Sequence, residues 1–158
     1  MSTTDDIFLA SSGSLESMVA WLSAALRLRS LEDPDLKEGE YLFSADARTG
    51  EGEVVFVVEP NGYGSIDPEP EDVSAIDRYT AAVEVRLVSA KDEEAQAAEA
   101  RAVFDELAAG RPEVAIVLSH NLSGLIAAYL PGAGVRTFPP DTTLDAPDVE
   151  LWRGWVVC

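Results

Sequence analysis

Cysteine, histidine and lysine are nearly missing from this chain, and each shortage excludes something. A single cysteine, Cys158, cannot form an internal disulfide. That points to a reducing compartment, and the expected location is cytoplasmic. Met1 to Asp6 carries two aspartates and no basic residue before a short apolar run, so it does not read as a signal peptide. No stretch approaches the roughly 18 consecutive apolar residues of a membrane-spanning helix. One histidine, His120, and one cysteine cannot supply a structural zinc site. Neither a Gly-x-Ser-x-Gly elbow nor a Gly-x-Gly-x-x-Gly fingerprint occurs, and no glycine-rich loop ends in Lys-Ser or Lys-Thr. The sequence therefore implies no catalytic residue, no metal and no cofactor, and leans away from an enzyme.

What is present is ordinary in amount and lopsided in sign. The 158 residues suit a single domain, 1–158, long enough to bury its own core. Apolar residues make up 47% and charged ones 25%, which suits a folded globular chain. Against 11 lysines and arginines stand 29 aspartates and glutamates, a net charge of −18. Such a chain is repelled by phosphate backbones and anionic lipid, so neither nucleic acid nor a membrane surface is an expected partner.

Patterning along the chain gives the elements. Ile7 to Ala10 reads as a strand and Ser11 to Ser14 as a turn carrying the helix N-cap. Leu15, Met18, Val19, Leu22 and Leu26 then recur at helical spacing. Residues 31–40 form an acidic loop with Pro34 and Gly39. Tyr41 to Ala45 and Glu53 to Glu59 are strands, and the apolar run Val54 to Val58 predicts a central strand covered on both faces. A partly extended loop over 60–77 leads to a strand at Arg78 to Ser89. Ser89 and Asp92 fit a capping box for a helix whose apolar face is Ala97, Ala100, Val103, Phe104, Leu107 and Ala108. Gly110 and Pro112 stop it.

Val114 to Leu118 reads as a further strand. Residues 122–130 suit either a hairpin strand or a short helix capped by Asn121, and the hairpin is favoured because it gives that strand an antiparallel neighbour. Leu151 to Val157 is read as the last strand, which would send Trp152 and Trp155 to opposite faces. The order β-α-β-β-β-α-β-β-β predicts an α+β fold, a two-layer sandwich. Its sheet would be mostly antiparallel with both helices on one face, in a ferredoxin-like layout that implies no function.

The charge is unevenly spread. Residues 1–30 carry net −1, residues 31–77 carry −12 and residues 78–158 carry −5. Two loop groups dominate: Glu69, Glu71, Asp72 and Asp77, and Glu32, Asp33 and Asp35. If their strands are neighbours, these loops form an acidic patch at the sheet ends, suited to fast capture of a basic protein partner. Asp67, Glu69, Glu71 and Asp72 do not match an EF-hand spacing, and Pro68 and Pro70 stiffen them.

The expected function is a small acidic intracellular binding protein that engages or neutralises a basic protein, as an immunity protein does with a bacterial toxin. Two alternatives are a small enzyme or ligand-binding domain with a pocket near His120, and acidity that reflects salt adaptation alone. The bland reading of His120 is a strand-end imidazole bonded to backbone.

Overall fold

Alternating apolar residues build the strands of this chain and four-residue steps build its two long helices, in a computed structural model that describes residues 4–157. The elements are β1 (Asp5–Ala10), α1 (Leu15–Leu26), β2 (Arg29–Ser30), β3 (Tyr41–Asp46), β4 (Glu53–Pro60), β5 (Ala81–Leu87), α2 (Glu93–Gly110), β6 (Ala115–His120), β7 (Gly124–Leu130), β8 (Gly134–Thr137) and α3 (Val149–Trp152). Cys158 lies outside the described residues.

The fold is α+β, with one antiparallel sheet of eight strands ordered β2-β3-β4-β5-β1-β6-β7-β8. This order departs from the four-strand ferredoxin-like layout, because β2 with β3 and β7 with β8 widen the sheet on both sides. β1 lies between β5 and β6, with Asp5 opposite both Val85 and His120. The hairpin reading of 122–130 holds: β7 pairs with β6 through a turn at Asn121 and Leu122, both at positive φ. The final strand does not. Residues 149–155 form α3 and a 3-10 turn at Arg153–Trp155, and the strand that follows β7 is Gly134–Thr137 instead. Pro147 explains this: proline at the start of the preceding 3-10 turn, Ala146–Asp148, fixes a helical φ and needs no N–H partner there.

In α1 the Ser14 hydroxyl accepts from the Ser17 N–H at 3.1 Å, and Met18, Leu22 and Leu26 are buried. The cap of α2 is Asp92, whose carboxylate accepts from the Ala95 N–H at 2.8 Å. The expected cap, Ser89, sits instead at φ 60 in the turn after β5. Both helices cover the same sheet face. Ile7, Leu9, Phe56, Val83 and Ile116 pack there against Met18, Leu22, Val103, Phe104 and Leu107, and each such side chain contributes roughly 1.5–3 kcal/mol relative to exposure. Glu99 of α2 is fully buried, yet its carboxylate accepts from the Arg48 N–H at 2.7 Å, the Thr49 N–H at 3.0 Å and the Thr49 hydroxyl at 2.7 Å. It ties the β3–β4 turn to the helix.

The opposite face is covered over part of its width. Phe8, Ala82, Val117 and Ala128 pack beneath Ala75, Ile76 and Tyr79 of the β4–β5 connection and beneath Phe138, Leu144, Trp152 and Val156 near the C-terminal end. Trp152 is 3% exposed and Trp155 packs against the same cluster, so the two tryptophans share one core rather than facing opposite ways. Helical spacing, three residues apart, is the reason.

Candidate functional site: an acidic sheet face

Side chains alternate along a strand, so the register decides which residues share the second face. Asp6 and Phe8 of β1 stand opposite Glu84 and Ala82 of β5. Glu84, Arg86 and Ala82 stand opposite Val57, Val55 and Glu59 of β4. Val57 and Val55 stand opposite Leu42 and Ser44 of β3. Phe8 and Ala82 lie under the covering segments, whereas Leu42, Val55 and Val57 belong to neither core cluster and are half-buried. β4 thus reads as a strand covered on both faces but is packed against helices on only one.

Carboxylates border this half-buried surface. Asp6 is only 6% exposed, and among the described residues its carboxyl group has neither a hydrogen-bond nor a cationic partner. Burial first, then the charges of Glu84, Asp5 and Glu59, push its pKa from 3.8 up to about 7. Burial and a hydrogen bond shared with Glu40 raise Glu59 as well, while Lys37 opposes the rise. The ring of Tyr63 meets Phe8 edge-on at 6.3 Å between centroids. Its hydroxyl pKa is raised by burial, then by Asp6, Glu59 and Glu84, which places the phenol beside the same cluster.

The acidic loops anticipated from sequence lie at one end of the sheet. Tyr41, where the 31–40 loop ends, pairs with Val58, three residues before the 61–80 connection begins. Glu32, Asp33 and Asp35 are exposed, as are Glu69, Glu71 and Asp72 around a 3-10 turn at Pro70–Asp72. Asp33 accepts from the Asp35 N–H at 2.9 Å. Asp77 differs: it is half-buried, and its carboxylate accepts from the Ser65 N–H at 3.0 Å and the Ser74 N–H at 2.8 Å, so it shapes its own loop. In the same connection Ile66 is 93% exposed and Tyr63 51% exposed. An isoleucine held in water among acids has no packing role.

His120 is bonded to a carboxylate rather than to backbone. Its Nδ1 lies 2.7 Å from Asp5 Oδ1, and the Gln96 amide donates to Asp5 Oδ2 at 2.9 Å. Gln96 is fixed in turn by the Val85 carbonyl and the Leu87 N–H. The imidazole borders two cavities. One, of about 470 Å³, is walled by Phe138, Pro139 and Thr142 among others; the second, of about 310 Å³, lies beside Glu93, Glu94 and Ile126. A third cavity of about 370 Å³ lies between Asp67, Val73, Arg78 and Trp152. Among the described residues, no group of three or more His, Cys, Asp or Glu side chains is placed to hold a metal ion, and no helix is long and apolar enough to cross a membrane.

No protein-family model, no curated protein and no solved structure matches this chain. Any functional reading therefore rests on the site itself.

Sequence reasoning had singled out the loop acids. It missed Asp6, Glu84, Glu59 and Tyr63, whose meeting depends on the register of three strands. The one local signal was a pair of aspartates opening the core strand Asp5–Ala10.

Proposed function

We propose that this chain is a small acidic binding protein that engages and neutralises a basic protein partner, in the manner of an immunity protein facing a toxin. The observation that carries the reading is a half-buried apolar stretch of sheet at Leu42, Val55 and Val57, outside both core clusters, bordered by carboxylates and flanked by exposed acidic loops. Apolar contact supplies affinity, and the surrounding charge speeds encounter and rejects acidic competitors. Glu69, Glu71 and Asp72, with Glu32, Asp33 and Asp35, serve as the steering charges. A cytoplasmic setting and the exclusion of nucleic acid and membrane surfaces belong to the same proposal. Basic proteins captured by this chain should bind roughly tenfold or more weakly as salt rises from about 50 to 300 mM. The combined substitution Glu69→Lys, Glu71→Lys and Asp72→Lys should slow their association. Salt-insensitive capture, or captured partners with no basic surface, overturns the reading.

A second reading has its own observation, the Asp5–His120 pair between two cavities. A carboxylate holding Nδ1 leaves Nε2, which has a long 3.5 Å contact from the Asn121 amide nitrogen, as an acceptor or general base for a small ligand that displaces that contact. Loss of a detected activity in His120→Ala would establish that role, and unchanged activity would end it.

A further inference from the structure

We infer that the second face of the sheet holds a receptor for one cationic side chain of the partner, an arginine or lysine. Its charged end would sit on Asp6, Glu84 and Glu59, and its aliphatic stem on Val57. This rests on the basic-partner reading above and deepens it from a charged surface to a single recognition contact.

Three independent features converge. First, Asp6 is a nearly enclosed carboxylate lacking a hydrogen-bond or cationic partner among the described residues. Such a group is costly unless a cation joins it. Second, the apolar surface beside it is half-buried and continuous with Glu84 through the Val57–Glu84 pairing. Long basic side chains lay their methylene stems along such surface and keep the charge at its border. Third, the exposed ring of Tyr63 stands at the cluster, where an aromatic face attracts a guanidinium or ammonium group.

The protein's own cations leave the place vacant. Arg86, next along the same face of β5, makes no ion pair among the described residues and lies opposite Val55. Lys37 acts on Glu59 from the loop before β3.

Binding of the cation needs Asp6 ionised, so recognition is coupled to proton release. The charged and titratable groups acting on Asp6 are Glu84 from β5, Asp5 beside it on β1, Glu59 from β4 and Tyr63 from the β4–β5 connection, while Glu40 and Lys37 act on Glu59. With Asp6 titrating near 7, about one molecule in ten is ionised at pH 6 and about nine in ten at pH 8. Affinity should therefore rise roughly tenfold over that interval.

The test uses the full chain and two small probes, N-acetylarginine methylamide and its neutral counterpart N-acetylnorleucine methylamide, followed by carboxyl-detected NMR. The cationic probe should shift Asp6, Glu59, Glu84 and Tyr63, bind roughly tenfold tighter at pH 8 than at pH 6, and lower the Asp6 titration midpoint. Asp6→Asn should weaken it at least fivefold at pH 8 and flatten the pH profile. Glu84→Gln, at a more accessible position, should act in the same direction. Equal shifts from the neutral probe overturn the inference. So does cationic binding confined to the 69–72 loop and unaffected by Asp6→Asn, an outcome that leaves the broader basic-partner reading standing. Probe binding at Asp6 with no capture of basic proteins would instead remove that broader reading.

Discussion

Replacing Asp6 by asparagine should make this protein more stable at pH 8 and leave it nearly unchanged at pH 4. A carboxyl group that titrates near 7 rather than 3.8 is held in its neutral form by about 4 kcal/mol, at about 1.4 kcal/mol per pH unit. The folded value lies above the unfolded one. Between pH 3.8 and 7 the folded chain therefore retains a proton that the unfolded chain has released, and stability falls as pH rises through that window. Above 7 the whole penalty is present. Asparagine keeps the shape and abolishes the charge, at the cost of burying a primary amide with no partner assigned to it. The net gain should be about 3 kcal/mol at pH 8 and within about 0.5 kcal/mol of zero at pH 4. For a domain of this size that corresponds to roughly 6–12 °C in Tm. Urea unfolding at several pH values measures it directly. An equal gain at both pH values, or a loss at pH 8, would show that Asp6 is not a strained carboxylate and would refute the electrostatic account of the site.

Two further substitutions test the scaffold. Glu99→Ala should cost about 2 kcal/mol, because the part-buried Arg48 and Thr49 N–H hydrogen bonds lose their buried acceptor; hydrogen exchange at those two amides should quicken well before the rest of the sheet. Ser14→Ala removes the cap of α1 and should cost about 1 kcal/mol by urea titration, and a loss under about 0.3 kcal/mol would mean water caps the helix equally well.

Much of the scaffold was legible because its signals are local. Leu15 to Leu26 shows its buried stripe directly, and the need of Val114 to Leu118 for an antiparallel neighbour pointed to the hairpin that β6 and β7 form, with its turn at Asn121 and Leu122. The segment around Trp152 was misread, since tryptophans beside valines favour a strand by propensity, and the proline-initiated helical turn outweighed that preference. The acidic loops were visible as composition. The carboxylate cluster was not, because Asp6, Glu59 and Glu84 come from three strands and meet only through register. His120 and Asp5 are 115 positions apart, and no spacing rule joins them.

The place of β1 in the sheet also bears on how the protein is made. Both neighbours of this strand are supplied late, by β5 and β6. Contacts of such wide sequence separation slow folding, because the intervening chain must be ordered before they form. During synthesis β1 lacks its β5 neighbour until residues near 87 have emerged and its β6 neighbour until residues near 120 have. Glu84 and Glu59 reach Asp6 at the first of these steps, so the carboxylate cluster is set by the docking of the β4–β5 hairpin on β1, before β6 closes the other side of that strand.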